Sequence, residues 1–136
     1  MYYKFKKRVK NLTVLRLYLW LIGSSLFVQG MVSMVVTVAN FHLPTFIHKL
    51  IITDPLHSFI HISWGLAICI LLGIGISKPR LVLLALSYGI FILLLGFTGI
   101  FIHHPFGMQL GRGENAFHFL SSTIALLLGI RVMKDF

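Results

Sequence analysis

The chain has 136 residues, of which 57% are hydrophobic and only 11% charged, with a mean hydropathy of +0.92. A soluble domain carries about 25% charged residues, so composition excludes an ordinary water-soluble core and points to helices that satisfy their own backbone in hydrocarbon. The net charge of +9 comes with no aromatic-interleaved basic groove, which sets nucleic acid aside as a partner and assigns the cations to membrane orientation and the lipid bilayer.

Four apolar runs follow in order, each near the ~20 residues that cross ~30 Å of hydrocarbon. The first covers about residues 14–38, behind a tail bearing Lys4, Lys6, Lys7, Arg8 and Lys10. It is too long for the apolar region of a signal peptide, and Ala39-Asn40-Phe41-His42 is a poor cleavage site, so a retained helix is expected. In the following loop Phe46, Ile47, Leu50 and Ile51 share one face of a short helix, opposite His48 and Lys49. That pattern suits either an interfacial helix or an irregular loop headed by Pro44.

The second run covers about residues 56–76. Asp54 is placed to cap it and Pro55 suits its first position. Ser77, Lys78, Pro79 and Arg80 alone separate it from the third run, about residues 81–102. A tight antiparallel hairpin is expected there, with Pro79 marking the break. The fourth run, about residues 116–132, starts Asn115-Ala116-Phe117-His118, and Asn115 is read as its cap.

The expected fold is therefore all-α, a single antiparallel bundle of four transmembrane helices over residues 1–136. Ten cations fall on one side: the five in the tail, Arg16, Lys78, Arg80, Arg131 and Lys134. Lys49 and Arg112 fall on the other. The positive-inside rule then puts both termini in the cytoplasm of a cell inner membrane.

All seven histidines, His42, His48, His57, His61, His103, His104 and His118, gather at the opposite, outward end. Small residues mark the packing face of a membrane helix. Those stripes are Gly23, Gly30, Ser33 and Thr37 in the first run, and Gly65, Cys69 and Gly73 in the second. They continue as Gly89, Gly96 and Gly99 in the third, and Ser122, Ala125 and Gly129 in the fourth. His57 and His61 continue the second stripe, His103 the third and His118 the fourth. These four imidazoles are expected to converge beneath the outer rim. His61 lies ~9 Å into its helix at 1.5 Å per residue. The same histidines also serve as interfacial anchors or interhelical hydrogen-bonding groups in the purely structural reading.

The pattern Asp54-x-x-His57-x-x-x-His61-x-x-x-Gly65, with Asn115-x-x-His118, resembles that of small four-helix bacterial integral membrane proteins classed as a domain of unknown function. The resemblance covers residues 54–129 and implies a small inner-membrane protein. Ser121 and Ser122 stand where a second histidine of the repeat is expected, so it does not imply a symmetric site.

Residues i and i+4 on one helix face can share an ion. The primary functional expectation is thus a zinc or copper site built from His57, His61, His118 and His103. Asp54 or Glu114 would serve as an oxygen donor or supporting partner. The alternatives are a single b-type haem held by His61 with His118 or His103, and a non-catalytic structural or regulatory subunit of a membrane complex or homo-oligomer. No G-x-S-x-G, H-E-x-x-H or phosphate-cradling loop is present, and no catalytic residue is assigned.

Overall fold

The computed structural model describes residues 2–41, 44, 54–102, 105–108 and 110–135, with backbone alone for residues 2–8. Among the described residues the chain is all-helical: α1 (Tyr2–Val38), α2 (Pro55–Gly73), α3 (Lys78–Phe101), a single 3₁₀ turn (Pro105–Gly107) and α4 (Arg112–Met133). All four α-helices are long and apolar enough to cross a membrane. The proposed interfacial helix around Phe46–Ile51 and the histidines His42, His48, His103 and His104 lie outside the described residues.

The helix ends explain where the sequence reading shifts. α1 begins well before residue 14: half of the tail is Lys, Arg and Leu, which favour a helix, and it prolongs the apolar span by several turns. It stops where Asn40 takes φ +52°. The Phe41 N–H then bonds the Val36 carbonyl and the Asn40 N–H the Thr37 carbonyl, a left-handed cap that asparagine tolerates. α2 ends the same way, at Gly75 with φ +71°. The Ile76 N–H bonds the Leu71 carbonyl and the Gly75 N–H that of Leu72. Ile76 is therefore in the turn and not in the helix. Pro79 does not break a helix; it lies in the first turn of α3, where no N–H is needed.

Packing is uneven around the bundle. α1 lies closely along α2, and α3 along α4, with α1 and α4 joining the two pairs. α2 and α3 share few contacts despite their short connection, so the expected tight hairpin is corrected. The four-residue turn fixes only the adjoining helix ends, while the close faces of each helix are claimed by other partners. Glycines explain those choices. A side chain at Gly30 would meet Ile62 and the Ser58 carbonyl on α2, and one at Gly89 would meet Leu126 on α4. Trp64 bridges the looser α2–α3 side, its ring 5.8 Å from Tyr88 and 5.4 Å from Phe91.

The interior is split by chemistry. Leu15, Leu19, Ile22, Ile68, Leu72, Leu81, Ala85 and Val132 fill one half. At that end Asn11 donates to Asp135 (2.8 Å), Arg16 to the Ile76 carbonyl (3.2 Å) and Lys78 to the Asp135 carbonyl (3.4 Å). The other half buries Ser33, Asp54, His57, Ser58, His61, Asn115, His118, Ser121 and Ser122. Leucines and valines such as Leu17, Leu21, Val28, Leu83, Leu94 and Leu127 face outward instead. Polar inside and apolar outside is the distribution that a hydrocarbon solvent selects.

One polar chain ties α1 to α2. Ser58 Oγ donates to the Asp54 carbonyl at 2.7 Å. Its only proton is thereby used, so Ser33 Oγ donates to Ser58 Oγ, also at 2.7 Å. Interhelical hydrogen bonds in membranes average about 0.6 kcal/mol and reach about 1.7. We expect Ser33→Ala to lower the unfolding free energy in detergent within that range, read from denaturant titration of tryptophan fluorescence. A loss above about 3 kcal/mol would mean the serine does more than bond.

Candidate metal centre

Asp54 sets the register of the site. Its carboxylate Oδ1 accepts from the N–H groups of Leu56 (2.9 Å) and His57 (3.2 Å), and Pro55 opens α2. This N-cap fixes where the helix starts and therefore which face carries His57, His61 and Gly65. Gly65 lets that face close on α1: a Cβ there would run into the backbone at Phe27 and Gly23. The two histidines are thus held on a helix that cannot slide.

His118 comes from α4, opposite. A Cβ on Gly96 of α3 would stand 3.3 Å from the His118 Cβ. The missing side chain lets His118 seat against α3 and project to the bundle interior. α2 and α4 are not a closely packed pair, so the imidazoles fill the space between them. Their ring centres lie 4.6 Å apart for His57–His61, 5.5 Å for His57–His118 and 6.3 Å for His61–His118. One nitrogen from each lies within 4.8 Å of the others.

All three rings are buried, with 0, 2 and 1% of their surfaces exposed for His57, His61 and His118. Neither ring nitrogen of His61 or His118 has a hydrogen-bond partner among the described residues. A buried polar atom left without a partner costs about 1–3 kcal/mol. Two rings left so, each with a nitrogen turned to the same place, make an arrangement that favours a ligand.

The remaining expected site residues are placed differently. Asp54 and Glu114 are not in the group of converging ligand atoms. Asp54 caps α2, and the Glu114 carboxylate accepts from the Gly111 N–H at 2.6 Å, capping α4. Asn115 is not a cap. α4 starts earlier, at Arg112, with Gly111 in the cap position, because Glu114 supplies the reciprocal bond that a capping box needs. Asn115 and His118 are consequently one turn deeper in α4 than Asp54 and His57 are in α2. The apparent repeat is one of sequence and not of structure. His103 lies outside the described residues.

Sequence reasoning missed the placement of four residues. Asn115 is buried with its Oδ1 unpartnered, a turn before His118, and its carboxamide fills the space a Cβ on Gly99 would occupy. Tyr88 is fully buried against Trp64; its place one residue before the Gly89 stripe was the available signal. Met108 and Leu110 form a small apolar cluster with Leu95 and Ile60, next to Gly96 and His61 in sequence. Nothing in the sequence of that connection announced that it would fold back onto the helices.

Comparison with protein-family models, with characterised proteins and with solved structures gives no match. The functional reading therefore rests on the chemistry of the three histidines.

Proposed function

We propose that this is an integral membrane protein that binds one first-row transition ion, zinc or copper, through His57, His61 and His118. The observation that carries the reading is the convergence of buried imidazole nitrogens, those of His61 and His118 without other partners. Zinc–imidazole bonds of 2.0–2.1 Å imply ligand nitrogens about 3.3 Å apart in a tetrahedral shell. The triad has to contract by roughly 1.5 Å to reach that spacing, a movement within the range of side-chain rotation. Imidazole suits both metals.

A haem is a poorer fit. The three ring separations put His57 beside the midpoint of the His61–His118 axis. A porphyrin ligated by that pair would lie where His57 stands.

The test is elemental analysis of protein purified after growth in zinc and copper. Close to one ion per chain is expected. Under ~0.1 ion per chain, in protein that remains folded, would remove the proposal.

We further propose an antiparallel bundle in a bacterial inner membrane, with both termini cytoplasmic. The bonds joining Asn11 and Lys78 to Asp135, and Arg16 to Ile76, support the up-and-down order. The ten-to-two distribution of cations supports the orientation. A fluorescent protein fused to the C-terminus is expected to fluoresce, and alkaline phosphatase fused there to be inactive. The reverse pair of results would invert the topology and put the histidines on the cytoplasmic side.

A further inference from the structure

Resting on the metal-binding reading, we infer that the ion held by the histidine triad is monovalent, Cu(I), in a three-coordinate site. Imidazole itself does not choose between zinc and copper. Charge and ligand number do.

The three converging ligands are neutral imidazoles, with no carboxylate or thiolate among the described ligand atoms. They leave the full charge of the ion in place. The cost of burying an ion rises with the square of its charge, so a monovalent ion incurs about a quarter of the penalty of a divalent one in the same medium. The site is as buried as any part of the bundle, and the helices around it are apolar on their outer faces. The nearest fixed fields act in the same sense. His57 is the third residue of α2, where the positive end of the helix dipole disfavours cations, twice as strongly for a doubly charged one. The acids at this end are occupied at helix starts: Asp54 accepts from Leu56 and His57, and Glu114 from Gly111.

Ligand number agrees. Zinc in proteins is almost always four-coordinate, and a site with three protein ligands completes its shell with water or substrate. Here all three histidines are 2% exposed or less. The cluster of Leu95, Met108 and Leu110 packs against Ile60, the neighbour of His61 in sequence, and the leucine-rich half of the bundle fills the rest of the interior. The three nitrogens of the described residues already make a complete shell for Cu(I), whereas zinc calls for a fourth ligand.

The experiment uses the full chain in detergent or nanodiscs under anaerobic conditions. Cu(I) is titrated against a competing bathocuproine chelator and Zn(II) against a zinc chromophore, with X-ray absorption on the loaded protein. The expected result is one Cu(I) per chain, bound at least about 100-fold more tightly than zinc, with a three-coordinate nitrogen shell and no water. His118→Asn, with its fold checked by helical circular dichroism, is expected to lose that binding. Zinc bound as tightly as Cu(I) would overturn the monovalent inference, and a four-coordinate shell would overturn its three-coordinate part; either result leaves the metal site standing. A folded protein that takes up neither metal would overturn both.

Discussion

His118→Ala is expected to reduce metal affinity by at least about 100-fold while leaving the helical content unchanged. Loss of a partner outside the ligand shell typically costs 10–100-fold, and His118 is one of three converging ligands among the described residues, the one that α4 supplies. The truncation leaves His57 and His61 on a single helix, able to chelate but not to close a shell. A second readout separates ligation from packing. An ion that binds only the folded protein adds about 4.1 kcal/mol of stability at 1,000 times its Kd. Saturating metal should therefore raise the unfolding midpoint of the native protein and leave that of His118→Ala nearly unmoved. Equal metal-induced shifts in both would show that His118 is not a ligand.

Gly65→Ala is expected to be the most disruptive single-methyl change in the chain. A Cβ at Gly65 would approach the Gly23 carbonyl oxygen to 2.7 Å and the Phe27 Cα to 2.8 Å, with the Phe27 nitrogen closer still. Overpacking typically costs 1–3 kcal/mol, and backbone on the receiving side cannot rotate away. We expect a loss of about 3 kcal/mol or more, seen as a lowered unfolding midpoint by Trp64 fluorescence. Gly73→Ala is the control from the same stripe. It has nothing within 4 Å, and alanine favours a helix over glycine by up to about 1 kcal/mol. It should be neutral or mildly stabilising. If Gly65→Ala were as harmless as Gly73→Ala, the close contact of α1 with α2 would be wrong.

Those two glycines also mark how far the sequence could be read. The four apolar runs and most of their inward faces followed from spacing alone, whereas the starts of α1 and α4 did not. His57 and His61 continue the Gly65 stripe, and His118 continues that of Ser122, Ala125 and Gly129, so their burial was legible. Gly73 kept the spacing but is the last residue of α2, where no neighbour reaches it. Spacing reports which face a residue is on and not whether another helix extends that far. Asn115 was misread for a related reason. Asparagine favours caps, but Glu114 reaching back to Gly111 starts the helix a turn sooner, and a cap made by backbone N–H and a later carboxylate leaves little trace at the cap residue itself. The separation of α2 from α3 was hidden because chain connectivity restrains ends and says nothing about which long faces meet. Tyr88 and Met108 were hidden because their roles depend on three-dimensional neighbours that no period in the chain encodes.

The uneven packing of the bundle has a consequence for how the molecule is held together. Two firmly zipped halves, α1 with α2 and α3 with α4, meet mainly along α1 and α4, while two of the imidazoles belong to the first half and the third to the second. An ion at that point is a clasp between modules and not a filling inside one. Its arrival would tighten the seam where the protein is weakest, and its departure would free the halves to shift against each other within the plane of the lipid.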